Sequence, residues 1–501
     1  MSRQDHAAAP SVPGSGVDAD TPVLATLTVH EIARIVGGSV HGMDPGEAAR
    51  TRVTGPVVAD SREAVPGSLF LADGAGHRFA GDAVARGAVV VLGSEPIPGL
   101  PMVLAPTPAG ESAAPDRDPS VLALGVLGRE LVQRVPGLRV LALTGSSGKT
   151  GTKDMLADVL SGYGPTVAPA ASLNDELGVP LTALRVTDRT RHLVLEMGAR
   201  GQGHIAYLTG LVAPSVGIVL NVGSAHAGPF GGQAGIARAK GEMVQALPKD
   251  GTAVLNADDP WVRAMAERTV ANVVLVGEAA DAEVRATDVS LDTAGCAAFT
   301  LVTPEASASV RLHLVGRHQV ANALAVAAAA RAVGMPLDAV AAELSASRRR
   351  ARWRMEVSER PDGVTVVNDG YNANPDSMAA ALRAVRALAG ERRTWAVLGE
   401  MLELGSDGPE QHGRIGRLAG ELGFDRVVAV GDGGHPIADG AAAAGATVHT
   451  VADRDEARRL LDRDLVHGDV VLVKSSRDAG LRYLGDALLE GTSVDREEST
   501  P

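Results

Sequence analysis

The residues best suited to chemistry lie in the segment Thr144-Gly-Ser-Ser-Gly-Lys-Thr-Gly-Thr152. Glycines in such a segment let backbone N–H groups approach phosphate oxygens, and the N-terminus of a following helix adds a favourable dipole. Lys149 would then meet the β- and γ-phosphates of a nucleotide, and the hydroxyl of Thr150 would bind Mg²⁺. The expected nucleotide contacts are Thr144, Gly145, Ser146, Ser147, Gly148, Lys149 and Thr150.

This segment departs from the usual phosphate-loop pattern, in which one Gly stands five residues before the Gly that precedes the Lys. Here Leu143 has that place, and Gly145 is only three residues before Gly148. A fortuitous turn rich in Gly and Ser is therefore the alternative. Because a predicted strand precedes the segment and a predicted helix follows it, nucleotide binding is the favoured interpretation.

Short β-branched runs alternate with helical patterns around this loop. Residues 138–144 are predicted as a buried strand, a helix follows from about Thr150, and residues 193–196 and 216–222 are predicted as further strands that end in polar residues. Alternating strands and helices are typical of right-handed βαβ units with a parallel sheet. Ligands of such sheets bind beyond the carboxyl ends of the strands, so the polar residues there are the candidates for chemistry.

Composition breaks divide the 501 residues into about three domains of the α/β class. Four prolines fall between residues 105 and 119, a helical pattern ends near Gly334-Met-Pro336, and the alternation of strands and helices resumes beyond residue 340. The predicted organisation is a disordered tail (1–22), an N-terminal domain (23–106), a linker (107–120), a central domain (121–335) and a C-terminal domain (336–501).

Composition argues against several classes of protein. The net charge is −13, and the 5 Phe, 3 Trp and 4 Tyr offer few rings for stacking on bases, so a nucleic-acid binder is not expected. Cys296 is the only cysteine and cannot form an intramolecular disulfide, which favours a reducing cytoplasm. No run of about 18 apolar residues predicts a membrane span, and the N-terminus has no apolar secretion signal.

The short loop resembles the Gly-x-x-Gly-Lys-Thr/Ser loop of the Mur ligase family, the ATP-dependent amide-forming enzymes of peptidoglycan synthesis. The resemblance extends in order and spacing from about residue 25 to 490. Segments similar to family motifs include 60–62, 66–71, 173–180, 195–198, 221–226, 239–242, 316–323, 354–356, 368–378, 397–405 and 474–477. The resemblance implies that this chain has three domains of the α/β class. These are a small N-terminal domain that binds a UDP-sugar, a central parallel-sheet ATPase domain with the phosphate loop, and a C-terminal Rossmann-like domain.

The resemblance also implies roles for individual residues. Glu196 falls where relatives bind Mg²⁺, His226 looks like a second metal ligand, and Lys240 matches a lysine that relatives carry as a carbamate. Two Mg²⁺ ions would be held by Thr150, Glu196, His226 and carbamylated Lys240. Each residue has a simpler alternative: Glu196 as a helix cap, His226 as a structural histidine and Lys240 as an ion-pair partner of Glu242. Further nucleotide contacts are expected from Asn322, Arg354 and Asp369.

Substrate contacts follow from the same resemblance. Ser61 and Arg62 are expected to hold a uridine diphosphate, although Arg62 has the alternative of capping a strand end. Tyr371, Asn372 and Lys474 are expected near the incoming amine, although the Asn-x-Asn-Pro run also suits a local turn. The segment 371–378 is similar to the family member that adds D-alanyl-D-alanine. The Asp-Asn-Pro-Arg type motif of the member that adds the third amino acid is absent from the sequence.

The resemblance therefore implies a monomeric cytoplasmic ligase that uses ATP to join D-alanyl-D-alanine to UDP-N-acetylmuramoyl-tripeptide through an acyl phosphate. Lys149, Lys240 and His226 are the expected catalytic residues. The alternatives are the ligase that adds the third amino acid (diaminopimelate or lysine), a folylpolyglutamate synthase and a non-catalytic nucleotide-binding regulator. A GTPase switch is disfavoured, because no Asn-Lys-x-Asp tetrapeptide is present.

Overall fold

A computed structural model of the chain describes residues 22–107, 117–223, 230–348 and 351–490. The described residues form three sheets with helices between the strands, which confirms the predicted α/β class and its three-domain architecture. Residues up to Pro136 together with 184–190 belong to one compact unit, and 137–183 with 191–501 belong to a second. Residues 1–21 of the predicted tail lie outside the described residues, and the predicted boundaries themselves stay predictions.

The first unit has a five-stranded sheet in the order β1-β5-β4-β3-β2, in which β1 is antiparallel to β5 and the other pairs are parallel. Its strands are β1 Ser39–His41, β2 Val57–Val58, β3 Leu69–Ala72, β4 Val90–Gly93 and β5 Met102–Leu104. Its helices are α1 Val29–Val36, α2 Pro45–Ala48, α3 Ala80–Ala85 and α4 Pro119–Gln133. Helix α4 begins within the predicted linker, because Asp118 caps it by accepting from the backbone N–H of Ser120.

The second unit contains a nine-stranded sheet in the order β14-β13-β12-β11-β10-β9-β6-β8-β7. The strands from β7 to β12 along this order are parallel, as expected of the predicted parallel sheet, and β6, β8 and β9 correspond to the three predicted strands. The other six strands were not predicted, and β13 and β14 among them add two antiparallel strands at one edge. The strands are β6 Arg139–Thr144, β7 Thr166–Val167, β8 His192–Glu196, β9 Val216–Val219, β10 Thr252–Asn256, β11 Asn272–Gly277, β12 Val284–Leu291, β13 Cys296–Val302 and β14 Ser307–Val315.

Helices cover this central sheet, among them α5 Lys149–Ser161, α6 Gly178–Ala183, α7 His204–Leu211, α8 Gln233–Gln245, α9 Pro260–Arg263, α10 Gln319–Ala332 and α11 Leu337–Ala346. Helix α10 is rich in alanine and packs against α5, α11 and strands β9 to β14. Because small side chains allow this close packing, most of its residues are fully buried. The helix therefore fixes Asn322, near its N-terminus, beside the start of α5.

The third sheet has the order β15-β16-β20-β17-β18-β19, with β15 antiparallel and all other pairs parallel. Its strands are β15 Glu356–Glu359, β16 Thr365–Asn368, β17 Thr394–Leu398, β18 Arg426–Val430, β19 Thr447–Val451 and β20 Val470–Lys474. Its helices are α12 Pro375–Ala389, α13 Gly408–Glu421, α14 His435–Ala443, α15 Arg454–Asp464 and α16 Arg482–Glu490. Strands and helices alternate in this domain, as the sequence beyond residue 340 predicts. No helix in the described parts of the chain is long and apolar enough to cross a bilayer.

Candidate active site

The loop between β6 and α5 is built as a phosphate-binding loop. Strand β6 ends at Thr144, and helix α5 begins at Lys149. Gly148 has a φ of +79°, and a Cβ at this position would lie 3.0 Å from Oδ1 of Asn322. Only glycine adopts this conformation at little cost, so Gly148 directs the loop over the start of the helix. The buried hydroxyl of Thr144 has no hydrogen-bond partner among the described residues.

Asn221, two residues after the end of β9, fixes the shape of this loop. Its Oδ1 accepts from the backbone N–H groups of Ser146 and Ser147, both at 2.9 Å, and its Nδ2 donates to the carbonyl of Ser147 at 3.2 Å. Asn221 was not among the predicted site residues. The sequence nevertheless offers a reason to consider Asn221, because it is a polar residue beyond the carboxyl end of an interior strand, where ligands of parallel sheets bind.

The Lys149 side chain folds back over the loop, and its Nζ donates to the carbonyl of Gly145 at 2.9 Å. Burial lowers the pKa of Lys149 from its usual value, and the nearby carboxylate of Glu196 opposes this shift. A half-buried cation held by a single carbonyl is well placed to transfer to a more strongly charged acceptor, such as a phosphate oxygen.

Four side chains form an oxygen-rich cluster below the loop. The hydroxyl of Thr150 donates to Oε2 of Glu196 at 2.9 Å and lies 3.0 Å from Oγ of Ser172. Oε1 of Glu196 accepts from Ser172 at 3.0 Å and from Nδ2 of Asn174 at 2.7 Å. The Glu196 side chain is fully buried, so these bonds fix both of its oxygens. Ser172 was not predicted, because it stands in a loop with no motif of its own.

This donor set fits Mg²⁺, which prefers hard oxygen ligands and takes one or two from protein and the others from phosphates and water. The two predicted ligands Thr150 and Glu196 are in direct contact. Within the described residues, no group of three or more His, Cys, Asp or Glu side chains is placed to hold a metal ion, so phosphates and water would have to supply the remaining ligands. His226 falls outside the described residues.

Lys240 lies on α8 with only 6% of the residue exposed. Burial and the charge of Lys149 lower the pKa of Lys240 well below its usual value. The alternative partner, Glu242, instead accepts from the backbone N–H groups of Gly203 and Ala206 at the start of α7, at 2.6 and 3.0 Å. Within the described residues the Lys240 amine has neither a hydrogen bond nor an ion pair.

The third sheet supplies a second set of side chains to the same region. The guanidinium of Arg354 stacks on the ring of Tyr371 at 4.2 Å from its centroid. Asp369 accepts from Nζ of Lys474 at 2.6 Å and from the backbone N–H of Met355 at 2.8 Å. Lys474 is buried and also donates to the carbonyl of Asn372 at 2.9 Å.

Asn374 joins this second set to the phosphate loop. Its Nδ2 donates to the carbonyl of Ser146 at 3.4 Å, while its Oδ1 accepts from the N–H of Ser377 and so caps helix α12. The Asn-x-Asn-Pro run thus caps a helix and also contacts the loop through Asn374. The side chain of Asn372 is exposed.

Residues of the phosphate loop, of the oxygen-rich cluster and of the third sheet line a cleft of 650 Å³ between the central and third sheets. That volume suits a nucleotide-sized ligand. Of the residues predicted from the sequence, the cleft is lined by Ser146, Ser147, Gly148, Lys149, Thr150, Glu196, Asn322, Arg354, Asp369, Tyr371, Asn372 and Lys474. The charge of Lys149 contributes to lowering the pKa of Lys240, but Lys240 is not among the described residues that line the cleft.

Ser61 and Arg62 belong to the first unit. Ser61 is buried, whereas Arg62 is exposed and pairs with Asp60 through its Nε at 2.9 Å. The Arg62 guanidinium holds the pKa of Asp60 below its usual value. The role of Ser61 and Arg62 in binding a uridine diphosphate stays a prediction.

Comparison with known proteins identifies two matching domains. The Mur ligase middle domain matches residues 143–330, and the Mur ligase, glutamate ligase domain matches residues 353–477. The chain is 47% identical to the UDP-N-acetylmuramoyl-tripeptide–D-alanyl-D-alanine ligase of Mycobacterium tuberculosis, over 93% of this chain and 98% of that protein.

Solved structures agree with this similarity. The crystal structure of MurF from Acinetobacter baumannii is 32% identical and superposes with a TM-score of 0.81, over 92% of this chain and 98% of that one. MurF ligase from Thermotoga maritima, solved in complex with ADP, is 26% identical and superposes with a TM-score of 0.72, over 87% and 98% of the two chains.

Proposed function

This chain belongs to the Mur ligase family, as its motifs predict, and on that premise we propose that it joins D-alanyl-D-alanine to UDP-N-acetylmuramoyl-tripeptide while ATP is converted to ADP and phosphate. The observation that carries this proposal is the 47% identity to a ligase of that name over nearly the whole of both chains. We place the reaction in the cytoplasm, where ATP is available, and we expect the enzyme to act as a monomer.

ATP is the nucleotide that we assign to the cleft. Its phosphates would lie on the loop from Thr144 to Lys149, and its base and ribose would lie toward Asn322, Arg354 and Asp369. The T. maritima relative, which binds ADP, supports this assignment. Lys149 would exchange the carbonyl of Gly145 for oxygens of the γ-phosphate, where a buried cation stabilises the negative charge most strongly.

The reaction that we propose has two steps. The terminal carboxylate of the tripeptide attacks the γ-phosphorus, ADP leaves, and an acyl phosphate forms. The amine of D-alanyl-D-alanine then attacks the acyl carbon, loses a proton, and displaces inorganic phosphate. Lys149 stabilises charge in both steps because the phosphoryl group stays beside the loop.

Mg²⁺ bound at Thr150 and Glu196 would neutralise phosphate charge while the carboxylate approaches. Ser172 and Asn174 hold the Glu196 carboxylate toward Thr150, so this part of the site is already arranged for a cation. His226 and Lys240 are the proposed residues of a second site.

We propose that Lys240 carries a carbamate. CO₂ adds only to a neutral amine, and burial beside Lys149 favours the neutral form of Lys240. Addition of CO₂ to the neutral amine, with release of one proton, would give an anion with two oxygen donors, which are the ligands that a metal beside a triphosphate requires. Its negative charge would also offset the positive charge of Lys149.

The acceptor specificity tests the proposed function. We expect D-alanyl-D-alanine to stimulate phosphate release only when UDP-N-acetylmuramoyl-tripeptide is present, with a product heavier by one dipeptide residue in mass spectrometry. Equal stimulation by diaminopimelate or lysine with the dipeptide precursor would instead identify the ligase that adds the third amino acid. Tight ATP binding without turnover for any acceptor would identify a non-catalytic regulator.

A further inference from the structure

The segment that carries Arg354 has an unusual backbone. Trp353 and Met355, the residues on either side of Arg354, have φ values of +58° and +52°. Residues with a Cβ avoid this region unless the surrounding structure imposes it. The conformation that brings Arg354 onto Tyr371 is therefore maintained by contacts outside the segment.

Backbone hydrogen bonds from the third domain supply part of that support. The N–H of Trp353 donates to Oε2 of Glu356 at 2.8 Å, and the N–H of Tyr371 donates to the carbonyl of Trp353 at 3.1 Å. The N–H of Met355 donates to Oδ1 of Asp369 at 2.8 Å. These bonds fix the main chain on both sides of Arg354, but they leave the direction of the Trp353 side chain open.

Asp486, on helix α16, fixes that side chain. Nε1 of Trp353 donates to both carboxylate oxygens of Asp486 at 2.9 Å. Asp486 also accepts from Nη2 of Arg352 at 3.1 Å and from Nδ2 of Asn368 at 3.2 Å. The half-buried carboxylate of Asp486 thus connects Trp353, next to Arg354, with Asn368, next to Asp369. Asp486 follows both residues by more than 100 positions in the sequence.

Two guanidinium groups and one aromatic ring also contact the ring of Trp353. The guanidinium of Arg352 lies 4.8 Å from the ring of Trp353, and that of Arg482 lies 5.6 Å from it. The ring of Tyr483 meets Trp353 edge-on at 6.2 Å. The cleft is lined by Arg354 and, within the described residues, by neither Trp353 nor Asp486.

We propose that Asp486 is a positioning residue for nucleotide binding, which holds Arg354 at the cleft through its bonds to Trp353. The inference rests on the proposed function, because it takes the ligand beside Arg354 to be ATP. It assigns to helix α16 a part in ATP affinity, although Asp486 itself does not line the cleft.

The test is direct titration of a non-hydrolysable ATP analogue with Mg²⁺ into the full-length protein. We expect Asp486→Asn and Trp353→Phe each to weaken analogue binding about three- to thirtyfold, with the KM for D-alanyl-D-alanine changed less than about twofold. Asp462→Asn is the matched control, because it removes an arginine–carboxylate pair with Arg458 on α15 and should leave the affinity unchanged.

A double-mutant cycle separates positioning from general support of the fold. In an Arg354→Ala background we expect Asp486→Asn to cause no further loss of affinity, because the residue through which it acts is gone. An equal loss in both backgrounds, or unchanged affinity in Asp486→Asn, would overturn the inference. If Asp486→Asn does not fold, Trp353→Phe, which keeps most of the ring packing, carries the same cycle. Failure of the wild-type protein to bind the analogue would refute the proposed function itself.

Discussion

Replacement of Lys149 by alanine is expected to lower the rate of ligation by about 10³-fold or more, while the fold is retained. Lys149 stands at the start of α5, and its amine lies against the loop on which we place the phosphates. Its removal leaves the charge that develops during phosphoryl transfer without its main protein partner. The rate of phosphate release with both substrates measures the effect.

Lys249 offers a matched control for this variant. It is an exposed lysine after α8, so Lys249→Ala removes the same charge from the chain without touching the cleft. We expect its rate to equal that of the wild type. A Lys149→Ala protein that ligates at the wild-type rate would show that the nucleotide binds elsewhere.

Replacement of Lys240 by alanine is the second large expected effect, a loss of about 10²- to 10³-fold in ligation rate. The proposed carbamate would be absent, and the second metal would lose its anionic ligand. Because alanine leaves a space at a buried position, a short carboxylic acid such as formate is expected to enter it and restore part of the rate. The measurement is the ligation rate against formate concentration.

Two outcomes would contradict the carbamate. A full rate in Lys240→Ala would mean that the residue has no part in the reaction. A lost rate that no short carboxylic acid restores, in a variant that still binds ATP, would mean that Lys240 acts as an amine rather than as an anion. Lys149→Ala under the same conditions is the control for unspecific stimulation by the added acid.

The phosphate loop was predictable because its parts are contiguous in the sequence. A β-branched strand, a Gly-Ser turn and Gly148-Lys-Thr150 follow one another, and each residue type has a local physical reason. Strands of the third domain were predictable for a similar reason, since buried parallel strands are short apolar runs bounded by polar residues. Six strands of the central sheet were not predicted, and among them β13 and β14 have an alternating, partly exposed pattern that is a weaker signal than a continuous apolar run.

Contacts between distant parts of the chain were not predictable. Asn221 meets the loop from more than 70 residues away, and Asp486 meets Trp353 from more than 130, and no local pattern encodes either pairing. Ser172 reaches Glu196 from a loop without regular structure. Lys474 and Asp369 were each predicted near the substrates, but the ion pair that joins them follows only from the adjacent ends of β16 and β20.

The central claim is that ATP converts the terminal carboxylate of the tripeptide into an acyl phosphate. The most direct measurement uses UDP-N-acetylmuramoyl-tripeptide labelled with ¹⁸O in that carboxylate, with ATP and D-alanyl-D-alanine, and mass spectrometry of the released phosphate. We predict one ¹⁸O atom per phosphate and one retained in the new amide, because the attacking oxygen leaves with phosphorus. Phosphate without ¹⁸O, formed together with the ligated product, would contradict this account.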